Sequence, residues 1–168
     1  MLFITLLFLI IMVILQSILK IAMQIAYNIK INNILEGING KDDLIEVGFR
    51  DFVYLMMEVF RRKGYKVRMT DKCGEESNGL ILNNLQYVEV IKFPFDKNIE
   101  VETAMKLAKC MQLNSIYRGM IITLGDFKQN TRSFCHKNVI ECINGDKVLE
   151  MCKEVQKRRP VLEANQPF

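Results

Sequence analysis

The sequence predicts an α/β protein: a mixed β-sheet flanked by helices, carried behind one N-terminal transmembrane helix. Three observations predict it. The first nineteen residues carry no charge, and Thr5, Gln16 and Ser17 are their only polar side chains. Beyond residue 41, short apolar runs with strand-like alternation are interleaved with stretches whose apolar residues recur at helical spacing. An early strand pair joined by a tight turn precedes β-α-β units, an order that needs antiparallel and parallel pairs in one sheet. The 168 residues, 50% hydrophobic and 25% charged, suit one folded domain and exclude a disordered chain. With 9 Gly, 3 Pro and no internal period, collagenous and repeat architectures are excluded too. A net charge of +4 permits contact with nucleic acid or anionic lipid and demands neither.

The run MLFITLLFLIIMVILQSIL comes first. Nineteen helical residues rise about 28 Å, close to the ~30 Å hydrocarbon core of a bilayer. A buried core helix would show a polar face, and this run shows none. No Lys or Arg precedes it and no small-residue cleavage site follows, so an uncleaved anchor is favoured over a signal peptide. Residues 1–20 are read as the membrane helix, with room to extend to about 35. Lys20 and Lys30 follow the run, and the positive-inside rule then gives a single-pass cell-membrane protein with a cytoplasmic C-terminal domain. Five cysteines, an odd number without a dense framework, agree. In residues 21–41, Ile21, Ile25 and Ile29 keep helical spacing before Gly37, Asn39 and Gly40 break it. A juxtamembrane linker is preferred there over a lipid-surface or partner-binding helix.

The soluble domain is expected over 42–159. Asp43 and Glu46 mark a helix start, and Ile45, Phe49, Phe52, Met56, Val59 and Phe60 fall on one face. Arg61, Arg62 and Lys63 suit its C-terminal turn and Gly64 ends it. Residues 65–70 alternate as a strand, and 71–78 form a polar loop. Residues 79–82 and 86–93 read as strands around an Asn83-Asn84 turn, and Pro94 ends the second. A helix over 98–113 has Glu100 and Glu102 in its first turn, with Val101, Ala104, Met105, Ala108 and Met111 inward. Residues 119–124 form a buried strand. Asp126 with Gln129 caps a short helix to about His136, and a strand follows over 138–143. Asn144-Gly145-Asp146 opens a last helix ending near Arg159, and Pro160 begins a tail over 160–168.

Few side chains suggest chemistry by themselves. Cys135-His136 with Cys142 and Cys152 lacks paired C-x-x-C spacing and offers one His, so no metal site is assigned. Gly37-Ile38-Asn39-Gly40 follows no strand and precedes no GK[ST], so it is no phosphate loop. Arg61, Arg62, Lys63 and Lys72, with Lys128, Arg132 and Lys137, are candidate nucleic-acid contacts, since phosphates need only such charges. Lys66 and Arg68 lie among the first group, and Lys153, Lys157, Arg158 and Arg159 form a further cluster. The plain alternative is a solvated surface.

The stretches FVYLMMEVFRRKGYKVRMTDKCGEESNGLIL, YVEVIKF, RGMIITLGDF and VIECINGDKVLEM, in this order, resemble the Mrr-type restriction endonuclease domain of the PD-(D/E)XK nuclease superfamily. The resemblance covers about Phe52 to Glu154. It implies a restriction-endonuclease-like sheet and metal-dependent phosphodiester hydrolysis. In such a site carboxylates hold Mg²⁺, the metal activates water, and a lysine stabilises the developing anion. Those groups come from an Asp opening the second strand, a (Glu/Gln)-x-Lys on the third, and often a Glu in the first helix. They fall here on Gly79, on Glu89 and Ile91, and on Val53. Glu89 alone keeps a suitable group. Lys92 adjoins Ile91 but should face away from Glu89, because strand side chains alternate. Glu58, Glu75 and Glu76 are the other groups that could compensate.

The resemblance therefore implies a nuclease scaffold that has lost hydrolysis and binds DNA or a protein partner at the membrane. No cofactor is expected, with Mg²⁺ only if activity survives. One alternative is an active metal-dependent endonuclease using Glu89 with displaced partners. Another is a structural membrane scaffold or homo-oligomer in the lipid bilayer.

Overall fold

The computed structural model describes residues 2–72 and 79–157. Its elements are α1 (Leu2–Gly37), α2 (Lys41–Glu46), α3 (Phe49–Arg62), β1 (Val67–Thr70), β2 (Gly79–Leu82), β3 (Gln86–Ile91) and β4 (Asn98–Ile99). They continue with α4 (Val101–Leu113), β5 (Arg118–Thr123), β6 (Asp126–Phe127), α5 (Gln129–Lys137), β7 (Ile140–Ile143) and α6 (Gly145–Gln156). The main sheet is mixed, in the order β1-β2-β3-β5-β7. The β1–β2 and β2–β3 pairs are antiparallel; β3–β5 and β5–β7 are parallel.

Sequence accounts for this order. Asn83 and Asn84 both take positive φ, 51° and 61°, in the three-residue connection between Leu82 and Gln86, a conformation that Asn tolerates. The strands from β3 on are apolar runs because helices cover both faces. On one face Val88, Val90, Met120 and Ile122 pack against α3 and α6. On the other, Tyr87, Ile91, Ile121 and Ile140 pack against residues of α4 and α5.

Three details depart from the sequence reading. Asp43 caps the short α2, accepting from the backbone N–H of Asn39 (2.8 Å) and Gly40 (2.9 Å), and the long helix begins separately at Phe49. Ile45 is consequently exposed. Asn98–Ile99 is not helix; it pairs with Asp126–Phe127 in a two-stranded parallel ladder. That leaves α4 starting at Val101, with Leu107 buried and Met105 exposed. Asp126 therefore belongs to a strand, and α5 follows Lys128 without a side-chain cap. The ladder fits because residue 125 is glycine: a Cβ there would stand 2.0 Å from the Lys97 carbonyl oxygen.

Helix α1 runs without a break for about 54 Å, at 1.5 Å per residue over its 36 residues. From Leu9 to Ile25 its apolar side chains are exposed. This helix is long and apolar enough to cross a membrane. Its last turns belong to the domain instead. Ile31 and Leu35 are buried, and Leu35 packs in the core with α3 and α6. The Gln156 side-chain amide donates to the Leu35 and Ile38 carbonyls at 2.6 and 2.8 Å, satisfying groups that a helix end leaves open. Tyr27 contacts Asp51 and Tyr54 near the start of α3, while Asn32 accepts from Arg62 at its end. The two helices therefore run in the same direction, and the apolar part of α1 leaves the domain at the end where α3 begins.

Candidate active site

β2 and β3 bring the family positions together. Leu80 pairs with Val88 and Ile81 with Tyr87. One step further along that register, Gly79 comes level with Glu89. Glu89 and Ile91 share one face of β3 because side chains alternate. Parallel pairing sets them beside Ile121 and Thr123 of β5. Glu89 is 4% exposed, an unusual place for a carboxylate, yet it does not lack a partner.

The other candidates stand elsewhere. Val53 is buried in the core on the opposite face of the sheet. Lys92 also points to that opposite face. Its ammonium donates to the Ile45 carbonyl (2.5 Å) and to that of Val47, which end α2. Burial pulls its pKa below the ordinary lysine value. Lys92 is thus held as a helix-terminating donor and does not meet Glu89. Glu58 pairs with Arg62 at 3.1 Å. Glu75 and Glu76 lie outside the described residues.

A Mg²⁺ centre needs about six oxygen ligands, normally one or two carboxylates with several waters. Around Glu89, Gly79 supplies no side chain and Ile91 is apolar. Among the described residues no three His, Cys, Asp or Glu side chains stand close enough to hold a metal ion. The described residues do not fit the metal centre that cleavage requires. Cys110 is disulfide-bonded, and the thiols of Cys135 and Cys142 are hydrogen-bonded to each other, which raises the pKa of Cys135 and lowers that of Cys142. Cys152 sits across the sheet, its thiol pushed up to about 12 by burial.

The basic candidates divide by environment. The Arg62 side chain is 4% exposed and bound to Glu58 and Asn32, so it is an internal brace. Lys63 pairs with Glu154 (2.7 Å), Lys128 with Glu100 (2.6 Å), and Arg132 with Asp126. Arg61, Lys72 and Lys137 are exposed and form no ion pair among the described residues. Arg158 and Arg159 lie outside the described residues. Sequence reading missed Asp51, which takes hydrogen bonds from Tyr27 and Lys30, both at 2.7 Å. The only signal for it was an acid in the first turn of a helix.

The restriction endonuclease family, Mrr_cat, matches residues 45–152. The chain belongs to this restriction endonuclease family. That span runs from the end of α2 into α6 and contains every strand of the sheet. No curated protein matches the chain. Among solved structures it is similar to "MspJI Restriction Endonuclease in Complex with 27-mer Oligonucleotide", with a TM-score of 0.43 and 13% identity. The similarity covers 79% of this chain and 32% of that one, so the chain spans about a third of that protein's length.

The strand ends that carry the candidate positions have a defined orientation. Gly79 pairs with Thr70, the last residue of β1, and Lys92 reaches Val47 just before α3. Gly79, Glu89 and Ile91 therefore lie towards the end of the domain from which the apolar part of α1 projects.

Proposed function

We propose that this chain is a membrane-anchored, non-cleaving member of the restriction endonuclease family that binds DNA at the cytoplasmic face. The observation that carries it is the composition of the catalytic edge. A buried Glu89 stands between a glycine and an isoleucine where the chemistry needs a second carboxylate and a cation. Removing a metal ligand and the anion-stabilising cation together takes away both main sources of rate enhancement.

The anchor supports the same reading. If α1 spans the bilayer over about its first twenty residues, the helical rise from Lys20 to Tyr27 leaves about 10 Å before the domain begins. Headgroups fill part of that gap. A duplex does not fit between the lipid and the catalytic edge. DNA would have to be held on other surfaces, by phosphate contacts from exposed cations such as Arg61 and Lys137.

The test uses the full chain in nanodiscs of zwitterionic lipid, with labelled duplex DNA followed by anisotropy across a salt series. The expected result is binding whose affinity falls steeply with salt, as counterion release requires. Absence of salt-sensitive binding overturns the DNA reading in favour of a membrane scaffold or a protein partner.

A further inference from the structure

The end of the domain opposite the anchor has a character of its own. Four chain segments meet there: the α3–β1 junction, the β2–β3 turn, the approach to β5 and the approach to β7. Register makes them a continuous rim. Gln86 pairs with Arg118, so Leu85 and Tyr117 are level, and Gly119 pairs with Ile140, so Arg118 and Val139 are level. The Lys66 N–H donates to the Asn83 side chain at 2.8 Å, joining the first two segments.

This rim is rich in cations, of which Lys63 is paired with Glu154 of α6. Arg61, Lys63, Lys66, Arg68, Arg118 and Lys137 lie on or beside it, and no Asp or Glu occurs in 61–68, 83–86, 112–119 or 136–140. It also exposes apolar side chains. Tyr117 is 82% exposed, and Leu85, Leu113 and Val139 are exposed around it.

The backbone is distorted along the same line. All the positive-φ non-glycine residues among those described lie here: Asn83, Asn84, Ser115 and Val139. The asparagines are explained by their hairpin turn. Val139 is not. It holds φ 57° just after the C-cap of α5, a place that favours glycine, and its β-branched side chain gains no burial in return. A local rule broken without a packing gain points to a role outside the fold.

We propose that this rim is a docking edge for single-stranded nucleic acid. The inference rests on the reading of the domain as a DNA-binding module and gives it a location and a preferred form of ligand. Phosphate contact alone needs only cations, and a duplex has no use for a projecting tyrosine between leucine and valine. Unpaired bases do: they stack on exposed aromatic faces while neighbouring cations follow the backbone. The rim also faces away from the bilayer, where a strand has free access.

The experiment measures anisotropy of labelled oligothymidine, and of its duplex with oligoadenine, on the full chain in zwitterionic nanodiscs. The strand is expected to bind more tightly than the duplex. Tyr117→Ala should weaken strand binding at least about fivefold and Tyr117→Phe should preserve it, as stacking predicts. Arg118→Gln should lower the salt slope for the strand by about 0.7. Lys97→Gln, at an exposed position at the other end of the domain, should change neither. Tyr117 is exposed, and an unchanged circular dichroism melt confirms that each variant is folded. Strand binding indifferent to both Tyr117→Ala and Arg118→Gln overturns the rim. Duplex binding with salt dependence but no rim sensitivity overturns the rim and leaves the DNA reading standing. Binding of neither probe, the result an acidic protein partner would give, overturns both.

Discussion

The ammonium of Lys30 lies 2.7 Å from the carboxylate of Asp51, joining the long apolar helix to the first turn of α3. The Tyr27 hydroxyl donates to the other oxygen of the same carboxylate. These hydrogen bonds, Lys30 first and Tyr27 second, hold the Asp51 pKa below its ordinary value. A depressed carboxylate pKa stabilises the fold above the unfolded-state value near 4, and the contribution is lost as pH falls through the folded value. Asp51→Asn should therefore cost at most about 1 kcal/mol at neutral pH, since the pair is partly exposed. The gap between wild type and variant should close below about pH 4. Chemical denaturation at several pH values measures it; a gap that widens in acid contradicts the tie.

Leu35 tests whether α1 is part of the domain. Its side chain is fully buried although it lies thirty-odd residues into a helix that begins in an uncharged apolar run. Leu35→Ala should lower the unfolding free energy of the domain by about 2–5 kcal/mol, the usual cost of a core truncation. Leu19→Ala, at an exposed position on the same helix, should leave domain unfolding unchanged. Equal effects of the two would mean that the helix does not pack as described.

Gly79 offers a test of the proposed loss of the metal site with the sign reversed. Gly79→Asp places a second carboxylate beside Glu89. Two close carboxylates repel, so the variant should melt below wild type in chelator. Millimolar Mg²⁺ should then raise the melting temperature of the variant by the ordinary linkage of a ligand to the folded state, and leave wild type unmoved. A Mg²⁺-dependent rise in the wild-type protein contradicts the account.

Val139 offers the simplest stability gain. A non-glycine residue in the left-handed region costs about 1–2 kcal/mol, and glycine there gives back roughly 0.5–1 in chain entropy. Val139→Gly should stabilise the domain by about 0.5–1 kcal/mol in denaturant unfolding. Destabilisation would mean that Val139 packs in a way its exposure does not indicate.

Much of this architecture is legible in the residues. The uncharged run, the spacing of Phe52, Met56, Val59 and Phe60, and the apolar strands around Asn83-Asn84 lead directly to α1, α3 and the β2–β3 hairpin. So does the coincidence of Gly79, Glu89 and Ile91 on two neighbouring strands, and with it the family. What the residues hide is tertiary. Ile31 and Leu35 look like the fading end of a membrane helix, and only the docked α3 and α6 make them core. Asn98 and Asp126 carry helix-start signals, yet a two-residue ladder uses both segments, because a local capping preference is weaker than a backbone pairing available across the fold. Arg62 reads as one of three surface cations, and only Glu58 and Asn32 reveal it as internal.

The central claim is that the family's scaffold is retained here without its cleavage. The most direct measurement is incubation of the full chain in nanodiscs with supercoiled and single-stranded DNA in Mg²⁺ or Mn²⁺, alongside Glu89→Ala. The account predicts DNA that is bound and remains intact with both metals. Strand breaks that depend on the metal and disappear in Glu89→Ala would contradict it.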